Sequence, residues 1–177
     1  MSRYNDIRTA FSEFIDAEKK YVSENEKLAH QIAFGLCEHL GCPDRYEVEE
    51  NSRPREKPYI QFLELDEDEK PGKVVSGLPT QAIAHFTDGR FTFAFRIILE
   101  RKENAYPKVG LSFVCKCHRV GKMVNISIGE KSLDLEFDGS TCAKIEEVHQ
   151  MITDQIFDTL AQRPGDGQHV KVGFFLR

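Results

Sequence analysis

Apolar and polar residues alternate in five runs between residues 82 and 137, the pattern of an antiparallel sheet with one apolar face. Turn residues such as Asp88 and Gly89 separate the runs, and hairpins across these turns set apolar residues opposite one another. The predicted pairs are Ala82 with Phe95, Ala84 with Phe93, Phe86 with Phe91, Leu99 with Val109, Phe95 with Phe113, Cys115 with Ile126, Cys117 with Val124, Ile128 with Leu133, and Val124 with Phe137. A one-residue slip would turn a strand inside out, so this agreement predicts a β-meander over residues 82–137.

Two segments outside the meander carry apolar residues at helical spacing. In residues 4–41 they recur every three or four positions, with charged residues between them. Ser23 and Glu26 have the form of a capping box, so the pattern leaves open whether this segment is one helix or two. A second helix is predicted over residues 141–162. Its apolar stripe consists of Ile145, Val148, Ile152, Ile156 and Leu160.

The remaining segments complete an α+β architecture. Residues 45–65 contain two possible strands, whose pairing stays open, separated by a loop at Ser52–Pro58. Residues 169–176 alternate again and predict a terminal strand. One sheet face is apolar, and each of the two helices has an apolar side that must be buried. We therefore predict that residues 1–177 form one domain. It has two layers: an antiparallel β-meander of five or more strands, with the N-terminal and C-terminal helices packed on one face.

The opposite face of the predicted sheet is mostly polar but carries a small apolar stripe. That stripe is typical either of packing against the chain's own Tyr59–Leu65 region or of a docking site for a partner. The candidate interaction face consists of Ile83, Ala94, Arg96, Ile98, Val114, Lys116, His118, Asp134 and Glu136.

Composition narrows the classes of partner. A net charge of −5 over 177 residues argues against general affinity for nucleic acid or anionic membranes. No apolar run approaches the ~20 residues that span a bilayer, and the first residues lack the apolar core of a secretory signal. Five cysteines, an odd number, favour a reducing compartment over a disulfide framework. We therefore predict a cytoplasmic protein.

Cysteine and histidine cluster twice along the chain, which raises the question of a zinc site. The spacings differ from those of zinc knuckles and ribbons, and alternation sends the strand cysteines inward while His118 points outward. The residues concerned are Cys37, His39, Cys42, Cys115, Cys117 and His118. We predict that the protein holds no metal and no other cofactor.

Nucleophilic catalysis has two weak candidates, Cys42 and Cys142. Cys142 is the better of the two if it lies in the first turn of the last helix, since a helix N-terminus lowers a thiol pKa. His149 lies two turns further on, too far for a direct hydrogen bond. We therefore expect inert, semi-buried thiols and assign no catalytic residue.

These observations leave two hypotheses for function. The first is a non-enzymatic cytoplasmic interaction protein, chaperone- or adaptor-like, that binds another protein or itself through a sheet face or an edge strand. The alternative is a hydrolase or nuclease-like enzyme that uses Asp134 and Glu136 with Lys116 and His118 on the exposed face. A solvated sheet face explains these carboxylates better, because Mg²⁺ requires several converging oxygens.

Overall fold

The structure, a computed structural model, describes residues 3–50, 53–75, 82–103, 105–106 and 108–161. The predicted terminal strand at residues 169–176 lies outside the described residues. The elements are α1 (Arg3–Leu40), β1 (Arg45–Glu50), β2 (Arg53–Pro58), β3 (Ile60–Leu65), β4 (Pro71–Val74), β5 (Ile83–His85), β6 (Arg90–Leu99), β7 (Val109–Val120), β8 (Met123–Ile128), β9 (Lys131–Glu136) and α2 (Ile145–Ala161).

Seven strands form one antiparallel sheet, and the predicted α+β class is confirmed. The strand order is β4-β3-β6-β7-β8-β9, and β5 also pairs with β6. Strands β5 to β9 follow one another as hydrogen-bonded neighbours, so the predicted meander is present. Strands β1 and β2 pair with each other in a separate two-stranded sheet.

The N-terminal segment is one continuous helix of 38 residues. Ser23, which the sequence offers as a helix cap, lies in its interior and is exposed. Glu26 follows on the next turn without a break in the helix. Neither α1 nor α2 has the length and apolar character needed to cross a bilayer, within the part of the chain that the structure describes.

The register between β6 and β7 is as predicted, with Phe95 opposite Phe113. The next two registers differ from the prediction by two residues. The turns at Gly121 and Gly129 are two-residue connections, whereas the prediction used four, and both glycines have the positive φ that such turns require. Cys117 therefore lies opposite Ile126 rather than Val124. A shift of two keeps every side chain on its predicted face.

The predicted register of β5 was wrong by one residue. His85, rather than Phe86, lies opposite Phe91, and Ile83 lies opposite Phe93. The turn is longer than predicted because Asp88 accepts hydrogen bonds from the backbone N–H and the side chain of Arg90, at 3.2 and 2.6 Å. An odd shift exchanges the faces of a strand. Ile83 therefore belongs to the buried core and not to the outer face.

Two segments outside the strands predicted from the sequence are also strands, and one of them was predicted as a loop. The loop at Ser52–Pro58 contains β2, which pairs with β1. The segment Pro71–Val74 forms β4 at one end of the described sheet. Prolines are tolerated there because each of these strands leaves one hydrogen-bonding edge unpaired within the described structure.

The predicted core layer is confirmed. Five sheet residues and four residues of α2 share one hydrophobic cluster, in which Ile145 is partly buried and the others are buried. They are Phe93, Phe95, Phe113, Ile126, Leu135, Ile145, Val148, Ile152 and Ile156. Residues of α1 from Leu28 to Leu36 join the same cluster, so both helices pack on the inner face of the sheet.

Candidate functional site

The predicted interaction face is divided between buried and exposed residues. Ala94 is fully buried, and Ile98 joins Ile83 in the hydrophobic core. Arg96 and Val114 are half-buried. The four remaining residues are exposed: Lys116, His118, Asp134 and Glu136. The exposed part of the face is therefore polar rather than apolar.

The chain's own hairpins reach over this outer face at two places. Glu69, in the turn between β3 and β4, accepts a hydrogen bond from Thr92 Oγ1 at 3.2 Å and contacts the Lys116 ammonium. The hydrogen bond from Lys116 holds the pKa of the Glu69 carboxyl below its usual value. At the other end, Gln61 accepts a hydrogen bond from Arg96 Nε at 2.8 Å and donates one to the Tyr46 hydroxyl at 3.2 Å. These contacts agree with the interpretation that the small apolar stripe on the outer face of the sheet packs against the chain's own residues.

A polar cluster fixes β1 to the sheet. Lys108 Nζ lies 2.5 Å from Glu100 Oε2, both side chains being about nine-tenths buried, and 5.1 Å from the centre of the Tyr46 ring. The Tyr59 hydroxyl donates a hydrogen bond to the same carboxylate. Burial raises the pKa of Tyr59 to about 12. The cluster pairs its charges internally and offers no reactive group to solvent.

The carboxylates of the enzyme alternative do not converge with their proposed partners. Asp134 accepts a hydrogen bond from Asn125 Nδ2 at 2.8 Å, and Lys116 engages Glu69 instead. Within the described ranges, no group of three or more His, Cys, Asp or Glu side chains is placed to hold a metal ion.

The cysteines differ from the expectation in two ways. Cys37 and Cys42, at the C-terminal end of α1, form a disulfide that the odd cysteine count did not predict. Helix α2 begins at Ile145, so Cys142 precedes it. Burial raises the pKa of the Cys142 thiol to about 11, whereas a helix N-terminus would lower it. Cys42 is bonded and Cys142 is buried, so neither is placed as a nucleophile.

A cleft of about 520 Å³ lies where α1 crosses α2. His149 Nε2 lies 3.1 Å from the Gln31 carbonyl oxygen, and its ring centre is 5.6 Å from that of His39. Burial lowers the pKa of His149. An added Cβ at Gly35 would lie 2.7 Å from the imidazole, so only glycine permits this approach. The lining residues are His30, Gln31, Phe34, Gly35, Glu38, His39, Ile145, Glu146 and His149. The chain separation between Gln31 and His149 hides this cleft from the sequence.

The N-terminal part of α1 extends beyond the sheet. Residues 3–20, hereafter the projecting segment, are exposed except for half-buried Ile15, and they span about 27 Å at 1.5 Å per residue. Ile7, Phe11 and Phe14 form one apolar stripe along it, with 63%, 64% and 62% of their surfaces exposed.

The base of the projecting segment is held against the sheet at Glu24. Arg119 Nη1 lies 2.8 Å from Glu24 Oε2, an ion pair without the direction of a hydrogen bond. The Arg119 guanidinium also lies over the Phe137 ring, 5.1 Å from its centre. Gly139 has φ +94°, and a Cβ there would lie 2.4 Å from Glu24 Oε1. The helix is thus anchored at this point, and the projecting segment begins one turn before it.

In the sequence, the apolar stripe of the projecting segment is recognisable as one side of a helix but not as a site. The signal in the sequence is the length that residues 4–41 have if they form one helix, a possibility that the pattern left open. A helix of 38 residues is about 57 Å long, whereas the longest predicted strands extend about 40 Å. One end of such a helix must leave the sheet.

Comparisons of this chain with protein-family models, curated proteins and solved structures gave no match.

Proposed function

We propose that this protein is a non-enzymatic interaction protein, chaperone- or adaptor-like, that binds another protein or a second copy of itself through the apolar stripe of the projecting segment. The observation that carries the proposal is the exposure of Ile7, Phe11 and Phe14, each above 60%, on one line of a helix.

Leaving this stripe in water is unfavourable. Apolar surface gains about 25 cal/mol per Å² when it is covered, and two phenylalanine side chains supply much of the area here. Aromatic residues are enriched at the centres of protein interfaces. Single exposed apolar residues are ordinary on protein surfaces, but a row along one helix face is typical of an interaction site.

The stripe is a better candidate than the sheet. The outer face is covered in part by the chain's own hairpins through Glu69 and Tyr46. At the two ends of the described strand order of the larger sheet, β4 has four residues and β9 carries three charged ones, and both features discourage pairing with a further strand. The proposed location remains the cytoplasm because three of the five cysteines, Cys115, Cys117 and Cys142, are buried free thiols. The Cys37–Cys42 disulfide is the one observation that favours an oxidising compartment.

Photo-crosslinking in the producing cells tests the proposal. A benzophenone amino acid in place of Phe11 is expected to give a discrete covalent adduct with a protein. The matched control carries the same group in place of Phe157 of α2, which is 66% exposed, and is expected to give none. Circular dichroism establishes that both variants fold. Absence of an adduct from position 11, or equal adducts from both positions, contradicts the proposal.

A further inference from the structure

We infer that the occupant of the apolar stripe is a second copy of this chain, whose projecting segment packs against the first in antiparallel orientation. The inference rests on the proposed function and names its partner. The charges along the projecting segment and the area that the pair would bury both favour this partner.

The projecting segment has no net charge. It contains four basic residues and four acidic residues. A helix that lies on an anionic membrane is rich in lysine and arginine on its polar face, so this balance does not favour lipid. A strongly charged partner of either sign gains no attraction over the whole segment, whereas a second copy can set basic residues of one segment beside acidic residues of the other. The charged residues are Arg3, Asp6, Arg8, Glu13, Asp16, Glu18, Lys19 and Lys20.

The order of these charges matches in an antiparallel pair. With Phe11 of each copy opposite Phe14 of the other, Arg8 lies within one residue of rise, about 1.5 Å, of the level of Glu18 in the second copy. Glu18 is the charged residue that continues the line of the stripe, so Arg8 neutralises the one position that interrupts it. The two-fold symmetry of the pair makes this contact twice.

A parallel pair brings like charges together. In a helix pair whose seam contains Ile7, Phe11 and Phe14, Arg3 and Arg8 flank the seam on opposite sides. A parallel arrangement sets Arg3 of one copy beside Arg8 of the other, and Glu18 beside Glu18. Both contacts are repulsive, and the antiparallel arrangement removes both.

The area is enough for a reversible dimer. Phe11, Phe14 and Ile7 expose roughly 350 Å² per copy, given about 150–250 Å² for a whole aromatic side chain. Ala10 and Ala17 flank the stripe and allow close approach of the helices. With the stems of the charged residues, the pair buries about 1,000 Å² in total, the lower limit for a specific interface. The dimer therefore depends on concentration.

Sedimentation velocity over a concentration series tests the inference. The wild type is expected to pass from monomer to dimer. Phe11→Glu/Phe14→Glu is expected to raise the dissociation constant more than about tenfold, because it places four carboxylates in the seam. Phe157→Glu, with an equally exposed phenylalanine on α2, is the control and should dimerise as the wild type does.

Charge reversal tests the orientation. Arg8→Glu and Glu18→Arg should each weaken the dimer several-fold, and the double variant should restore it, because the antiparallel pair sets these two residues together. A wild type that remains monomeric overturns the inference, as does a dimer that survives Phe11→Glu/Phe14→Glu or a double variant that is weaker than both single variants. If the wild type is monomeric and the adduct at position 11 contains a different protein, the inference fails while the proposed function stands.

Discussion

The two halves of α1 have the same apolar spacing but opposite environments. In the inner half, Leu28, Ile32 and Leu36 are fully buried against the sheet and α2. In the projecting segment, Phe11 and Phe14 follow the same helical period and remain more than 60% exposed. Periodicity therefore identifies a helix and its apolar side, whereas the partner of that side depends on how far the sheet extends.

The largest expected difference between the halves is in stability. Ile32→Ala should lower the free energy of unfolding by about 2–5 kcal/mol, because it leaves a cavity among fully buried side chains. Phe11→Ala should change it by no more than about 0.5 kcal/mol in the monomer. Urea denaturation at the lowest practical concentration measures both. Equal losses would mean that the projecting segment also packs against the fold.

The crossing of α1 and α2 gives a second, smaller test. Gly35→Ala should cost about 1–3 kcal/mol through overpacking, since the new methyl group meets the His149 ring at 2.7 Å. An alanine elsewhere in a helix would instead gain up to about 1 kcal/mol over glycine.

His149→Ala supplies the control for that test. In this background Gly35→Ala should become neutral or stabilising, because the imidazole no longer obstructs the methyl group. The same loss with and without the imidazole would show that Gly35 is required for another reason.

The smallest expected effect is a dependence of stability on pH that arises where α2 packs against the inner half of α1. Burial lowers the pKa of His149 in the folded state, so between the two pKa values the unfolded chain binds more protons. The stability is therefore complete above about pH 6.5 and falls as the pH drops through that value. His149→Gln should reduce the fall measured by urea denaturation. The part that remains comes from His30 and His85, whose pKa values burial also lowers. The projecting segment contains no histidine, so its helix content should not change over this range.

Hairpin registers show how far sequence reasoning reaches in this fold. Pairing apolar residues with one another gave the correct register of β6 against β7. The length of the single connection between these strands fixes all ten of their consecutive residue pairs. The same pairing overestimated the lengths of the turns at Gly121 and Gly129 by two residues. Alternation cannot detect this error because each face of the sheet keeps its residues. The error at β5 was an odd shift, caused by the hydrogen bonds of Asp88 in the turn, and it moved Ile83 from the outer face into the core.

The candidate site was less predictable than the fold for a physical reason. Sequence patterns show whether a side chain favours burial or water, but not which part of the protein covers it. The outer face looked open because Glu69 and Tyr46 reach it from hairpins whose pairing the pattern left undecided. The apolar stripe of the projecting segment looked like part of the core because its spacing equals that of a helix packed in a core. If residues 4–41 are taken as one helix, comparing its length with that of the strands would have distinguished an exposed stripe from a buried one.

Because α1 is held at Glu24, a small rotation of the helix there moves the far end of the projecting segment by a larger distance. A rigid arm of about 27 Å converts a rotation of about 5° at its base into a displacement of about 2 Å at its tip. Gly139 and Arg119 therefore influence the direction of the projecting segment, and with it the position of the proposed binding stripe, from its base. A side chain at Gly139 would displace the Glu24 carboxylate and weaken its ion pair with Arg119, which holds the base of the projecting segment, without any change to Ile7, Phe11 or Phe14.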